Sequence, residues 1–418
     1  MRQDLAKIAK QLNQDRIAAS GSRSKFRVPL GKSTVGEEEI AAILRCLVEE
    51  NFTMGEITAE FEEAFANFLG VRHAAMVNSG SSANHLLLAA LRNPLIRQEL
   101  RLEEGDEVIV PALTWSTTIW PVIDHGCTPV LVDAHLETLN MSMDAVENAI
   151  THRTKAIFAA HILGNAVDLT RLQELAGRFG LILLEDSCES LGTTYGGKPV
   201  GSFSRASSFS FYFSHHITTI EGGMIATDDP ELDNICRCLR AHGWSRDLSN
   251  KKQIEASYPS IDPRFLFVNL GYNLRPTDLQ AAIGLCQLRK LPHFNRRRCA
   301  IAGMFLEAFK GFDALRTIQP TESVSHTWFG FPVLLPSISE RQRLTAHLEQ
   351  QGIETRPIVA GSLDQHPAMK SFPHRVAGQL TNAHEIMGRG LYWSCHPLMT
   401  DADAQYVIDT VRQYFGVL

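Results

Sequence analysis

The chain has 418 residues, 44% hydrophobic and 21% charged, with 40 Lys and Arg against 46 Asp and Glu for a formal net charge of −6. That balance belongs to a folded chain with a sizeable buried core and excludes a disordered polymer. It also excludes a basic field for nucleic acid or an anionic membrane, so any phosphate must be met locally, by a helix terminus or a few placed side chains.

Residues 3–18 place Leu5, Ile8, Ala9 and Leu12 at helical spacing. The run Ala18–Ser24 reads as a short linker, making residues 1–25 an appended helical extension and a candidate docking arm. The start is polar, and the longest apolar stretches, such as Leu181–Leu184, are far too short to span a bilayer. Eight cysteines (46, 127, 188, 236, 238, 286, 299 and 395) without a CxxC pair read as reduced thiols. The expectation is a cytoplasmic protein.

An amphipathic helix is predicted from Thr34 to about Glu50. Strands then follow at Ala74–Val77, Glu107–Pro111, Val130–Val132, Ala156–His161, Leu181–Glu185 and Ser207–Tyr212, with helical patterns between several of them. Continuous apolar strands separated by helices predict an α/β fold, a mostly parallel sheet covered on both faces, within a large domain spanning residues 26–289. Such sheets hold ligands at the carboxyl ends of their strands. A helix is predicted over Thr277–Leu291, stopping at Pro292, and a second from about Asn295 to Lys310. Strands at Gly330–Leu335 and Glu354–Pro357, with helices at Glu340–Gln350 and Ala402–Tyr414, predict a smaller C-terminal α+β domain over residues 290–418.

Four motifs fall at the predicted strand ends. Asn78-Ser79-Gly80-Ser81-Ser82-Ala83-Asn84 is a small-residue turn into a helix, readable as a phosphate cradle or as a tight turn with an N-cap. Asp186 closes a buried strand, where a carboxylate needs a cationic partner; a protonated pyridine nitrogen is one, and a helix-capping role is the alternative. Trp115 follows another strand and is readable as core or as a stacking platform. The fourth run, Ser208–Met224, carries the pair His215-His216, which has no HExxH spacing or third ligand to support a metal.

In order and spacing these motifs resemble the sugar aminotransferase family named after DegT, DnrJ, EryC1 and StrS, from about Phe26 onward. The resemblance implies the fold type I architecture of pyridoxal phosphate enzymes, with Gly80, Ser81 and Ser210 on the cofactor phosphate and Trp115 on its ring. It also implies Asp186 on the ring nitrogen, Glu189 near the ring 3-hydroxyl, and Asn273 reaching the phosphate of a neighbouring subunit in a homodimer. The sequence departs from the family where a lysine is usual: His215 stands there, as in the family's 3-dehydratases. Imidazole forms no stable imine with the cofactor aldehyde but moves protons at neutral pH. The cofactor is therefore expected to be bound non-covalently, as pyridoxamine phosphate exchanging with pyridoxal phosphate. The runs Asn51–Glu56, Ala241–Arg246 and Arg356–Val359 look closest to the members acting on GDP-linked 4-keto-6-deoxy sugars.

What the resemblance implies is removal of the C3 hydroxyl of such a nucleotide sugar, with His215 moving a proton and glutamate restoring the amine as 2-oxoglutarate leaves. His242, Arg246 and Arg356 are the candidates for sugar or glutamate; His242 and Arg246 are also readable as ordinary loop residues. Three rivals remain. An iron–sulfur dehydrase needs four thiolates, yet Gly243–Leu270 holds no cysteine. An aminotransferase needs another lysine, of which Lys198 is nearest in sequence. A regulator that has lost catalysis would show no turnover.

Overall fold

The computed structural model describes residues 2–20 and 25–417. An eight-stranded sheet forms its centre, in the order His73–Val77, Gly223–Thr227, Ala206–Ser210, Ile182–Asp186, Thr154–Ala160, Glu107–Pro111, Thr128–Val132 and Arg375–Val376. Only Gly223–Thr227 pairs antiparallel with its neighbours; the other strands run in one direction. Alternation explains why these strands read as unbroken apolar runs. Ile109, Val130, Ile157 and Leu183 pack toward helices Met143–Ala149 and Leu169–Phe179. Val108, Val110, Phe158 and Leu184 join the largest core cluster, together with the apolar residues of helix Gly80–Leu91.

A second, antiparallel sheet orders Arg316–Thr317, Gly330–Leu334, Gly390–Ser394 and Thr355–Arg356. Its core residues Trp328, Phe331 and Trp393 are continuous with the main cluster. Two features were not read from the sequence: the reversed strand, and the return of residues 375–376 to the edge of the large sheet.

Pro292 does not end a helix. A single helix, Asp278–Ala308, runs through it, opened by a capping box between Thr277 and Gln280. Proline removes one backbone donor and so leaves the Leu288 carbonyl without its helical partner, a local loss that buried neighbours on both sides outweigh. The amphipathic stretch from Thr34 becomes helical only at Glu37–Val48, because Thr34 instead donates its hydroxyl to Gln287 Oε1 at 2.8 Å. The N-terminal helix extends over Arg2–Ser20 and packs against Glu37–Val48, so residues 18–20 of the expected linker are helical. Residues 21–24 of that linker lie outside the described residues.

The long helix can lie close to Phe61 only because residue 284 is glycine: a Cβ there would stand 2.5 Å from two ring carbons of Phe61. Gly284→Val is expected to destabilise the fold by about 1–3 kcal/mol through overpacking. An unchanged midpoint in chemical denaturation would refute this reading of the helix contact.

Candidate active site

The carboxyl ends of the parallel strands gather the motif residues. Ser79 caps helix Gly80–Leu91, its hydroxyl accepting the Ser82 N–H at 3.0 Å. Among the described residues the backbone N–H groups of Gly80 and Ser81 have no partner, which leaves two donors at the positive end of a helix. A Cβ on Gly80 would stand 2.5 Å from Ser210 Cβ and 3.0 Å from Ser210 Oγ. Glycine is thus what lets the turn and the Ser210 strand end close on one small space. The Ser81 hydroxyl is exposed and donates to Thr117 Oγ1 at 3.3 Å.

Asp186 is 7% exposed. Its Oδ2 accepts from Asn84 Nδ2 at 2.7 Å and from the Thr118 hydroxyl at 2.8 Å; Oδ1 accepts the Cys188 N–H at the longer distance of 3.2 Å. Asn84 is held in turn by donating to the Thr117 carbonyl at 3.0 Å and by accepting from the Ser208 hydroxyl. A buried carboxylate so oriented, with one oxygen only weakly engaged, suits a cationic ring nitrogen. Trp115, at the start of the helix that carries Thr117 and Thr118, is 56% exposed and has ring surface free to stack.

His215 Nδ1 lies 2.6 Å from the Cys188 carbonyl oxygen. A carbonyl only accepts, so Nδ1 carries the proton and Nε2, which has no partner among the described residues, keeps its lone pair. Burial pushes the His215 imidazole down to about 4, the Arg298 charge adds to that, and the Cys188 carbonyl and Asp186 oppose it. His216 diverges: its Nε2 donates to the Thr327 carbonyl at 2.5 Å, and the ring is buried. The two histidines therefore share no ligand. Glu189 accepts the Leu163 N–H at 2.8 Å. Burial pushes its carboxyl up to about 7 despite that hydrogen bond, with the Asp186 charge adding to the rise.

Two further residues come from the C-terminal part of the chain. The Phe329 ring lies 5.1 Å from the His215 ring and 6.4 Å from that of Tyr392. Tyr392 pairs in register with Arg356 and feels the charges of both Glu189 and Arg356, which ties Arg356 to this end of the sheet. Arg356 also holds Glu354 at 2.7 Å. By contrast His242 and Arg246 are not bonded to these groups. Both pack on Trp244, with the Arg246 guanidinium 3.9 Å from its ring centroid, and Arg246 lines a surface cavity with His73 and Asp233. Asn273 is exposed, its Oδ1 accepting from Arg275 at 3.1 Å. Lys198 is exposed on the outer hairpin strand Lys198–Pro199.

Sequence reading missed Asn84, Thr118, Phe329 and Tyr392. Asn84 stands one helical turn past Gly80, a spacing that places both on one face; nothing local marks the two aromatics.

The model of the DegT/DnrJ/EryC1/StrS aminotransferase family matches residues 33–412. The chain belongs to this family. A GDP-4-keto-6-deoxy-D-mannose 3-dehydratase of Yersinia pseudotuberculosis is 41% identical over 376 residues, covering 88% of this chain and 94% of its own length. The enzyme of the same name from Escherichia coli O55:H7 is 39% identical over 389 residues, covering 92% and 99%. A solved structure of the E. coli 3-dehydratase with bound hydrated pyridoxal phosphate superposes with a TM-score of 0.87 at 38% identity, over 92% of this chain and 99% of that one. The fold is that of the fold type I pyridoxal phosphate enzymes. The residues fit the cofactor: Gly80, Ser81 and Ser210 for the phosphate, Asp186 for the ring nitrogen and Trp115 for the ring face.

Gly80→Ala is expected to weaken pyridoxamine phosphate binding at least about tenfold, the equivalent of 1.4 kcal/mol, in a fluorescence titration; unchanged affinity would remove the cradle. A second outcome concerns acid. His125, His215 and His326 are pushed down to about 4 and His396 to about 3, all chiefly by burial. Above the free imidazole value near ~6.5 neither state binds these protons. As pH falls from there toward 4 the unfolded chain takes them up and the native state does not, so stability must fall. Denaturation midpoints that stay flat from pH 6.5 to 4 would contradict this.

Proposed function

We propose that this chain is a pyridoxamine phosphate-dependent 3-dehydratase of a nucleotide-linked 4-keto-6-deoxy sugar. GDP-4-keto-6-deoxymannose is the favoured substrate, glutamate the amino donor and 2-oxoglutarate its product. The observation that carries the reading is His215, tethered through Nδ1 and free at Nε2, at the place where the family's aminotransferases carry lysine. The named relatives support the sugar and the position of the deoxygenation.

When bound, pyridoxamine phosphate supplies an amine for the sugar ketone and an electron-poor ring that makes loss of the neighbouring hydroxyl feasible. The chain does the rest. Gly80, Ser81 and Ser210 would hold the phosphate, and Asp186, oriented by Asn84 and Thr118, would meet the ring nitrogen. Trp115 would stack on the ring. His215 accepts a proton at Nε2, a role open to it because its imidazole is neutral at working pH. Glu189 accepts the Leu163 N–H and fixes that turn, and by the family resemblance it would stand near the ring 3-hydroxyl. Arg356, beside Tyr392, is placed for an anionic group of sugar or glutamate, while His242 and Arg246 serve only if a second subunit or a bound sugar brings them in.

We take the working unit to be a homodimer. Phe265, Phe267, Leu270 and Tyr272 are 60%, 51%, 88% and 38% exposed, immediately before Asn273. An apolar patch of that kind marks an interface, and a second copy there brings Asn273 toward the neighbour's phosphate. We propose the division into residues 1–25, 26–289 and 290–418, with the second boundary falling inside the shared helix Asp278–Ala308: the phosphate and ring groups come from the middle part, and Phe329, Arg356 and Tyr392 from the last. No helix among the described residues is long and apolar enough to cross a membrane; we place the enzyme in the cytoplasm.

The test is incubation with pyridoxamine phosphate, glutamate and several nucleotide 4-keto-6-deoxy sugars, with mass detection of deoxygenation. His215→Asn is expected to keep cofactor binding while turnover falls about 10²–10⁴-fold, the range of a general base. Retained turnover would remove His215 from the mechanism. A pyridoxyl-lysine adduct after borohydride reduction would return the protein to the aminotransferases, and stoichiometric iron and sulfide would make it an iron–sulfur dehydrase.

A further inference from the structure

Arg298, on the long helix Asp278–Ala308, is 2% exposed and forms no ion pair among the described residues. Its partners are two consecutive carbonyls, Trp328 O at 3.3 Å and Phe329 O at 2.9 Å from one terminal nitrogen. Its Nε is buried without a partner. The one other arginine so buried among the described residues, Arg240, also 2% exposed, answers a carboxylate, donating to Glu62 at 2.5 Å. An uncompensated guanidinium in a protein interior costs several kcal/mol, so its surroundings decide what it does.

Those surroundings are the paired histidines. The three carbonyls of Thr327, Trp328 and Phe329 form one row, taken by His216 Nε2, by the Cys395 thiol together with Arg298, and by Arg298 alone. The Phe329 ring, fixed by that row, stands 5.1 Å from the His215 ring and 6.2 Å from the His216 ring. The charged and titratable groups that bear on this pair are Asp186 on the cofactor side, Tyr212, whose ring lies 6.1 Å from that of His215, and Arg298 on the interior side, which is itself flanked by Cys299, Cys395 and His396. Arg298 is the one permanent cation among them.

We propose that Arg298 is a positioning residue for the dehydration, acting through His215: a single guanidinium clamps the turn whose ring backs the imidazole and sets a fixed positive charge beneath the histidine pair. The consequence is a base that stays unprotonated at neutral pH, its Nδ1–H kept on Cys188 and its Nε2 free. Burial alone lowers an imidazole's proton affinity; the charge of Arg298 acts on both histidines in the same direction. The inference rests on His215 being the base, but its test is read without turnover.

The test is an NMR titration of the histidine ring signals in the full-length protein, with His215 assigned from His215→Asn. In the native protein His215 is expected to titrate below about 5, more than one unit under the free value near ~6.5, with His216 not titrating above that point. In Arg298→Met, similar in length but uncharged, the His215 midpoint is expected to rise by about one unit. The acid limb of kcat/KM should then move the same way, a tenfold change in the protonated fraction at a given pH. A variant that loses stability or raises KM while the His215 midpoint stays put would reduce Arg298 to a structural clamp and overturn the proposal. If Arg298→Met does not fold, Arg298→Gln is read in the same way, and Arg298→Lys, which keeps the charge, is expected to hold the midpoint low; a His215 midpoint at or above ~6.5 in the native protein also overturns the proposal. Loss of the dehydratase reading would show instead as His215→Asn retaining turnover, whatever the titration gives.

Discussion

The 2.6 Å contact between His215 Nδ1 and the Cys188 carbonyl sets which imidazole nitrogen can work. A side chain with two nitrogens offers two tautomers, and an accepting oxygen on one side removes the ambiguity. Cys188 belongs to the same short run as Asp186 and Glu189, just past a central strand. The buried Asp186 carboxylate, the carbonyl that tethers His215 and the Glu189 carboxyl, pushed up to about 7, are therefore spaced by backbone geometry and not by flexible loops. Moving any one of them moves the others.

Buried charge elsewhere in the molecule is closely matched. Burial would raise the Glu62 carboxyl, but Arg240 and Arg237 hold it below its usual range. That cluster joins helix Glu56–Leu69, strand His73–Val77 and helix Pro230–Arg240, and the Arg240 carbonyl accepts the Leu274 N–H at 2.9 Å. Glu107, fully buried, is likewise met by Arg375 at 2.8 Å and Arg153 at 2.7 Å. Pairs like these are weak evidence of net stability but strong constraints on register, because losing one partner strands the other in low dielectric.

Much of the large sheet was legible because strands buried on both faces advertise themselves as apolar runs ending in small or polar residues. Six of its strands were read in place, and the four motifs do stand at strand ends. Gly223–Thr227 was not, since its Gly-Gly-Met start reads as a turn and its partners are settled only by tertiary packing. Pro292 misled for the opposite reason: a local rule about proline yielded to burial along the whole helix. Within the site, Gly80, Asp186, Ser210 and His215 carry local signals. Phe329 and Tyr392 carry none, because a residue brought in from the far end of the chain is marked by contact and not by sequence spacing.

The strand Arg375–Val376 has a consequence for how the chain is assembled. It pairs with Val130 and Leu131, residues that precede it by 245 positions in the chain. A ribosome must release all the chain between them before the outer margin of the first-made sheet can be closed. Until then Thr128–Val132 offers bare amides and carbonyls to any passing strand. Such late, long-distance closure slows folding and exposes nascent chains to mispairing.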